Sequence, residues 1–184
     1  MKHADLPDAP AWQGVNHLAL VTPDMDATVR FYAGVLGMPL VTTVMAGPMR
    51  HYFFEIAPGN TVAFFEIPGA TTFRKGAGSA GPFPTQLDHI AFNVADEQSL
   101  KTLATRLEAA GSQVTEMIDH GFVKSIYFTD NNGIALEASC WVIDATGRPF
   151  DPSDNTRFRD PNPVPAIAEL ANGGLQSLPA TTLV

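Results

Sequence analysis

Residues 15–41, VNHLALVTPDMDATVRFYAGVLGMPLV, and residues 87–115, LDHIAFNVADEQSLKTLATRLEAAGSQVT, are similar to each other. Each stretch begins with an apolar, strand-like run whose third residue is a histidine, His17 in one and His89 in the other. Each then passes through an aspartate into an amphipathic helix that ends near a glycine, and a further strand follows. Because self-similarity at a fixed distance indicates a repeated structural unit, we predict a duplicated module.

Each copy is predicted to have the element order β-α-β-β-β, which makes the fold class α+β. Asp24 is expected to begin the first helix as its N-cap, and Gly37 is expected to end it. We expect the strands of the first copy at residues 15–22, 40–45, 52–57 and 61–67. We expect the second copy to have a helix at residues 99–110 and strands at residues 87–94, 113–118, 123–128 and 134–140.

These elements divide the chain into four predicted segments. Residues 13–67 and 87–141 form the two βαβββ modules, and residues 68–86, with four glycines and three prolines, form a linker or flap between them. The remaining residues, 142–184, are rich in proline and in small polar residues. We predict that they form a Pro-rich C-terminal arm with a short helix at residues 164–171, packed on the modules or on a partner subunit.

The composition indicates a folded, acidic protein. Hydrophobic residues make up 45% of the 184 residues and charged residues 16%, which is too apolar for a disordered chain. The formal net charge of −8 argues against binding to nucleic acid or to an anionic membrane. No apolar run approaches about 18 residues, and the first ten residues lack the apolar region of a secretory signal, so we expect a cytoplasmic location. The single cysteine, Cys140, excludes a disulfide framework.

Four ionisable residues stand at related places in the two copies. His17 and His89 are 72 positions apart, and Glu66 and Glu137 are 71 positions apart, so the distance is nearly constant. Both glutamates lie in otherwise apolar strand segments, where burying an unpaired carboxylate is costly. A shared metal ion explains all four residues, and two imidazoles with two carboxylates suit divalent Fe, Mn, Ni, Co or Zn. The residue types do not choose among these metals.

The chain resembles the vicinal oxygen chelate superfamily, which includes glyoxalase I, extradiol dioxygenases, methylmalonyl-CoA epimerase and antibiotic-resistance proteins. The resemblance covers residues 13–141, and the motifs that match best are NHLAL, FYAGVLGM, LDHIAFNV and YFTDNNGIALE. It implies the glyoxalase fold, in which the curved sheets of two βαβββ modules form a metal-centred cup. It also implies that the metal ligands come from the first and last strands of each module, here His17, Glu66, His89 and Glu137.

The resemblance leaves the reaction class open, and we slightly favour a glyoxalase-like isomerase or lyase. In this interpretation the metal acts as a Lewis acid on a small substrate that chelates through two neighbouring oxygens, and Glu66 or Glu137 moves the proton. Glyoxalase I normally has an arginine four residues after its first-strand ligand, where this chain has Val21. The likeness therefore does not extend to a glutathione adduct as the substrate.

The first alternative is an extradiol ring-cleaving dioxygenase that acts on a catechol-type aromatic. The chain is similar to those enzymes in the segment that runs from His120 through Tyr127 to Glu137, although Asn131 replaces a proline of their motif. This resemblance implies that His120 and Tyr127 lie near the substrate as catalytic residues.

Under this alternative the metal ligands form a triad of His17, His89 and Glu137, which leaves open positions for catechol and oxygen. Two features count against it. Asn60 and Thr61 stand where those dioxygenases have a catalytic histidine. Glu66, as a fourth ligand, would leave room for a chelating substrate but not for oxygen as well.

The second alternative is a metabolite-binding or drug-binding resistance protein without turnover, and the complete set of candidate ligands argues against it. In every interpretation the partner is a small molecule. We also expect a homodimer, because the open edge of a sheet needs cover. His51 is expected in a loop, and a place in the lining of the cup is the less favoured interpretation.

Overall fold

The computed structural model describes residues 8–71, 76, 78, 87–176 and 181, and it divides the chain into two compact units. The larger unit, residues 13–144, contains two four-stranded mixed sheets, each with a helix between its first and second strands. This arrangement confirms the predicted pair of βαβββ modules. The predicted linker at residues 68–86 and the end of the predicted arm lie largely outside the described residues, so the four segment boundaries stay a prediction.

The first module contains four strands in the spatial order β1-β4-β3-β2. They are β1 (His17–Thr22), β2 (Leu40–Ala46), β3 (Met49–Ala57) and β4 (Asn60–Glu66). β1 runs parallel to β4, and β3 is antiparallel to both of its neighbours. Helix α1 (Met25–Val29) follows β1 and continues as a π-helical turn, Arg30–Val35.

The second module repeats this order as β5-β8-β7-β6. Its elements are β5 (Ile90–Asn93), α2 (Glu97–Ala109), β6 (Ile118–Asp119), β7 (Val123–Thr129) and β8 (Ala135–Trp141). The strand predicted at residues 113–118 is wrong, because only Val114 bridges to Phe128 before the short β6 begins. The hydroxyl of Thr115 accepts a hydrogen bond from the backbone amide of Tyr127 at 3.0 Å, and this side-chain contact replaces a backbone contact of the ladder.

The helices begin and end at the residues whose chemistry suits those positions. The side chain of Asp24 accepts a hydrogen bond from the backbone amide of Ala27 at 3.0 Å, which confirms the predicted N-cap. Asp96 has the same role for α2, where it accepts from the amide of Ser99 at 2.8 Å. Gly37 follows the π-helical turn with a φ of +77°, a conformation that glycine adopts without steric cost.

One apolar core is shared by both modules. Its members come from the helices and from the helix-facing sides of both sheets. The largest fully buried side chains are Tyr32, Phe54, Phe64, Leu100, Leu107 and Phe128. Burial of each such side chain contributes about 1.5–3 kcal/mol, so the two modules stabilise each other through this core.

A set of polar side chains, all buried except Asn131, also joins the modules, and we call it the junction network. Its members are Thr22, Thr28, Tyr32, Asp130, Asn131 and Asn132. The hydroxyl of Tyr32 donates to Asp130 Oδ2 at 3.0 Å, and the hydroxyl of Thr22 donates to the side-chain carbonyl of Asn132 at 2.9 Å. Burial raises the pKa of Asp130 above its ordinary value and raises the pKa of Tyr32 well above its ordinary value. The network therefore contains groups that depend on each other for hydrogen bonds.

The smaller unit combines residues 1–12 with residues 145–184. It contains helix α3 (Pro165–Ala171), close to the helix predicted at residues 164–171. Arg157 forms an ion pair with Asp154 at 2.6 Å, and its guanidinium lies 5.3 Å from the ring centre of Phe158. In the part of the chain that the structure describes, no helix is long and apolar enough to cross a membrane.

We expect Tyr32→Phe to lower the free energy of unfolding by about 1–3 kcal/mol, because it leaves the buried Asp130 with one hydrogen-bond donor fewer. Urea denaturation followed by circular dichroism measures this change. Tyr52→Phe, which removes a hydroxyl from a half-buried ring of β3, is the control and should change the free energy by less than about 0.5 kcal/mol. Equal effects of the two substitutions would contradict a stabilising role for the junction network.

Candidate metal centre

Alternate residues of β1 and β5 point away from the helices. In β1, His17 and Val21 are exposed, whereas Thr22 is fully buried on the helix side. In β5, Ala91 is exposed, whereas Phe92 is buried. We call the side of each sheet that faces away from the helices its open face. The candidate ligands can be assigned by asking which of them lie on an open face.

His89 and Glu137 lie together on the open face of the second module. His89 Nε2 is 2.7 Å from Glu137 Oε2, and its Nδ1 is 2.6 Å from Asp88 Oδ1. The carboxylate is 6% exposed, and its Oε1 accepts a short hydrogen bond from the hydroxyl of Ser125. Both donor groups are therefore held in place by a neighbour, which is the usual arrangement around a metal ligand.

His120 and Tyr127 form a second pair beside the first. His120 Nε2 and the hydroxyl oxygen of Tyr127 are 2.9 Å apart, within hydrogen-bond distance. The Tyr127 ring lies edge-on to the His89 ring, with the ring centres 5.9 Å apart. Burial, and then the nearby carboxylate of Glu137, raises the pKa of Tyr127 above its ordinary value. Tyr127 therefore keeps its proton at neutral pH and can donate a hydrogen bond.

A cavity of about 450 Å³ contains both pairs. Its apolar wall includes Phe122 and Trp141, whose ring centres are 6.3 Å apart. A cavity of this volume, with apolar walls and a few polar groups, is typical of a site for a small molecule. The four candidate residues of the second module are thus brought together.

Glu66, by contrast, lies on the helix side of the first sheet. It pairs with Thr22 in the ladder, accepts a hydrogen bond from the amide of Met25 at 2.9 Å, and forms an ion pair with Arg50. The Met25 amide, and then Arg50, lowers the pKa of Glu66 below its ordinary value. The structure therefore does not bring Glu66 to His17, and the carboxylate interacts with the start of α1 instead.

The pairing registers of the strands explain why Glu66 and Glu137 lie on different faces of their sheets. The residue two positions after His17 pairs with Ala63, and the residue two positions after His89 pairs with Glu137. Ala63 is therefore the first module's counterpart of Glu137, at an offset of 74 residues (137 minus 63). Glu66 lies three residues beyond Ala63, and an odd number of residues along a strand leads to the opposite face.

His17 lies on the open face of the first module. Its Nδ1 is 2.8 Å from the side-chain oxygen of Asn16, and its ring centre is 5.7 Å from that of Phe53. Within the described ranges, no group of three or more histidine, cysteine, aspartate or glutamate side chains is close enough together to hold a metal ion. The donors of the second module nevertheless fit a divalent ion, because an imidazole nitrogen faces a buried carboxylate oxygen. The ligand roles of His17, His89 and Glu137 stay predictions.

Two polar residues near the candidate ligands carry little signal in the sequence. Asp88 and Ser125 orient His89 and Glu137, and the only sequence signal for Asp88 is that it precedes a candidate ligand. Ser125 could have been found from the alternation of β7, since it lies two residues before Tyr127 and so on the same face. His51 lies within β3 rather than in a loop, and it is 8% exposed.

A second cavity, of about 440 Å³, lies between α2 and the first module. Its charged residues already have partners: Asp96 caps α2, and Arg106 donates to the backbone carbonyls of Gly34 and Val35 at 3.0 Å. We therefore assign the candidate site to the cavity that contains His89 and Glu137, where donor groups face one another.

The sequence matches a family described as the Glyoxalase/Bleomycin resistance protein/Dioxygenase superfamily over residues 14–138. A relative from Bacillus subtilis (strain 168), named "Putative ring-cleaving dioxygenase MhqA", is 36% identical over 72 residues. That match covers 36% of this chain and 23% of the relative, so the chain spans less than a quarter of the relative's length.

Two solved structures have similar folds. The first, a glyoxylase/bleomycin resistance protein/dioxygenase domain from Frankia sp. EAN1pec, has a TM-score of 0.60 and 25% identity, and the match covers 71% of this chain and 99% of that one. The second, a lactoylglutathione lyase from Agrobacterium tumefaciens, has a TM-score of 0.53 and 20% identity, and the match covers 71% of this chain and 96% of that one. At 20% identity the second likeness indicates the fold alone.

We expect Glu137→Gln to lower the affinity for a divalent ion by at least about tenfold, and Glu66→Gln to leave it unchanged. The reason is that Glu137 lies on an open face beside His89, whereas Glu66 contacts the start of α1. Both variants make the same chemical change, so each controls for the other. Competition between the protein and a chromogenic chelator for Co²⁺ measures the affinity. Equal losses in the two variants would restore Glu66 as a ligand.

Proposed function

The chain belongs to the Glyoxalase/Bleomycin resistance protein/Dioxygenase superfamily, and we propose that it is a metal-dependent ring-cleaving dioxygenase within that superfamily. Its substrate would be a small aromatic compound that chelates the metal through two neighbouring oxygens. The sequence alone slightly favours an isomerase or lyase, and the position of Glu66 changes that preference.

The observation that carries the proposal is which residue stands at corresponding places of β4 and β8 on the open faces. Glu137 lies beside His89, whereas Ala63 occupies the corresponding place in the first module. The candidate ligands are then His89 and Glu137, which face each other, and His17, which the described residues do not bring into one group with them. Two histidines with one carboxylate leave coordination positions open, and this set is typical of non-haem Fe(II) oxygenases.

An ion held by these three residues would supply Lewis-acid activation of the two substrate oxygens. The chain's own residues orient the donors around it. Asp88 interacts with the Nδ1 side of His89, so that its Nε2 faces the cavity, and Ser125 fixes one oxygen of Glu137. Such contacts determine which atoms remain available for the ion.

His120 and Tyr127 are the candidate acid–base pair. They share a hydrogen bond at the wall of the cavity that contains Glu137, so a proton from a substrate hydroxyl can be accepted by His120 and returned later. Phe122 and Trp141 supply an apolar surface on which an aromatic ring packs. In the overall reaction both atoms of O₂ enter the product as a ring C–C bond breaks, and no external reductant is consumed.

The isomerase or lyase hypothesis requires a second carboxylate at the centre, and the contacts of Glu66 give no support for one. The hypothesis of a binding protein without turnover gives no role to the His120–Tyr127 pair. The expectations of a homodimer and of a cytoplasmic location stay predictions.

We expect the Fe(II)-loaded protein to consume oxygen with a catechol and to form a yellow ring-fission product. His120→Ala and Tyr127→Phe should lower the rate by about 10²–10⁴-fold, the usual effect of removing an acid–base group, while iron content is retained. An oxygen electrode measures the rate, and Tyr52→Phe serves as the control for loss of a tyrosine hydroxyl. Full iron loading without oxygen uptake, across a set of substituted catechols, would contradict the proposal.

A further inference from the structure

The cavity that contains His89 and Glu137 has two chemically different ends. The first, which we call the polar end, holds the two hydrogen-bonding pairs of the candidate site. The second, which we call the apolar end, is formed by Phe122, Val123 and Trp141. A ligand that occupies the whole cavity therefore needs a polar part and an apolar part.

The strand register sets the distance between the two ends. Glu137 and Trp141 lie four residues apart on the same face of β8, and β7 places Tyr127 opposite Glu137 and Val123 opposite Trp141. At about 3.3 Å per residue, four residues along a strand span about 13 Å. A single six-membered ring is much shorter than this span, so a catechol with its oxygens at the polar end does not fill the apolar end.

The volume of the cavity leads to the same conclusion. It measures about 450 Å³, whereas a cavity of about 150 Å³ is enough to hold one benzene molecule. Between the two ends the cavity is lined by Asn93 and Ser139, whose side chains are short and uncharged. One reacting ring therefore leaves space for a second group of similar size.

Phe122 and Trp141 are held in place by the fold without being buried. They are 47% and 42% exposed, and their ring centres lie 6.3 Å apart with the ring planes inclined at 43°. The backbone carbonyl of Phe122 accepts hydrogen bonds from the amides of Val142 at 2.9 Å and Ile143 at 3.0 Å. These contacts fix Phe122 beside the end of β8, so the two rings form a defined apolar surface.

The place of this aromatic pair favours a small molecule as its occupant. Both rings line the same concave cavity as the candidate ligands, His89 and Glu137. Apolar walls around a few polar groups are typical of pockets that enclose most of a small ligand. An aromatic group between the rings gains from apolar burial and from ring-to-ring contacts.

We propose that Phe122 and Trp141 form a subsite for an apolar substituent, so that the substrate is a catechol-type compound that carries a second aromatic or similarly bulky apolar group on the side away from its two oxygens. This inference rests on the proposed function, because that function places the two oxygens at the polar end. It names the substrate class more narrowly, as an aryl-substituted or comparably substituted catechol.

The test compares three ligands, catechol, 3-phenylcatechol and 4-phenylcatechol, by isothermal titration calorimetry of the full-length protein equilibrated with Fe(II) under anaerobic conditions. The second ring of 4-phenylcatechol extends away from both hydroxyls, whereas that of 3-phenylcatechol lies beside one of them. We expect 4-phenylcatechol to bind at least about tenfold more tightly than catechol, the effect of burying one aromatic ring, and more tightly than 3-phenylcatechol. Equal gains for the two isomers would mean that the second ring has no defined place, and would overturn the proposal.

Substitutions of Trp141 test whether the preference comes from the apolar end. Trp141→Ala should reduce the preference for 4-phenylcatechol over catechol to less than about threefold, whereas Trp141→Phe, which keeps an aromatic ring, should restore most of it. Trp12→Ala removes an 81% exposed tryptophan of the smaller unit, so it is the matched control and should keep the wild-type preference. An equal loss of affinity for both ligands in Trp141→Ala would mean that Trp141 acts on the reacting ring or on the fold, and would overturn the proposal.

Fluorescence and oligomeric state separate ligand binding from a contact between copies of the chain. The sequence has two tryptophans, so Trp12→Phe leaves Trp141 as its one indole. In that variant 4-phenylcatechol should quench the fluorescence more strongly than catechol does at equal occupancy, and equal quenching would contradict the proposal. A change from dimer to monomer in Trp141→Ala, measured by sedimentation and accompanied by an unchanged ligand preference, would assign the pair to a protein interface and overturn the proposal.

The outcome for the subsite is distinguishable from the outcome for the proposed function. Oxygen uptake tests the function, whereas the ratio of the dissociation constants tests the subsite. A wild type that prefers 4-phenylcatechol but takes up no oxygen with any of the three ligands would overturn the function and leave the ratio interpretable. A wild type that consumes oxygen and binds catechol and 4-phenylcatechol equally would overturn the subsite alone, and a wild type that binds none of the three would overturn both.

Discussion

The two-residue period of a β-strand is the constraint on which the candidate site depends. A side chain on β4 or β8 faces either the apolar core or the open face, and a shift of one residue exchanges the two. Glu137 faces the cavity beside His89, whereas Glu66 faces the start of α1. The same residue type at nearly the same distance along the chain therefore has two different surroundings, and the difference follows from the strand register.

The fold could be predicted from the sequence because it depends on features that tolerate small errors of position. An apolar run followed by a capped helix identifies each module even when the ends are misplaced by a few residues, and Asp24 and Gly37 mark one helix by their own chemistry. Where a single side chain determines the local structure, the sequence pattern did not predict the extent of the strand correctly. The hydroxyl of Thr115 binds the amide of Tyr127 and shortens a predicted strand, although the residues around it have a strand-like composition.

The sequence pattern correctly placed the candidate residues of the second module near one another, and it did not do so for Glu66 and His17 of the first module. His89, His120, Tyr127 and Glu137 are brought together as expected. The assignment of Glu66 used an offset of 71 residues, when the strands that carry the glutamates are related by 74. A repeat measured along the chain includes the lengths of turns, which differ between the copies, whereas the face of a strand depends on hydrogen-bonded partners. Those partners are known only when the strands are paired in space.

The segment from Tyr127 to Glu137 links the site to the core of the fold. Its two ends lie on the open face, and its turn contains Asp130 and Asn132, which bind Tyr32 and Thr22 of the other module. The side chain of Asp130 also accepts hydrogen bonds from two backbone amides of the turn, so the turn has one well-defined conformation. Because β7 and β8 leave that turn in a fixed register, the positions of the tyrosine and the glutamate depend on contacts made on the opposite side of the sheet. The junction network therefore links the two modules and also helps to fix the turn from which the strands of Tyr127 and Glu137 begin.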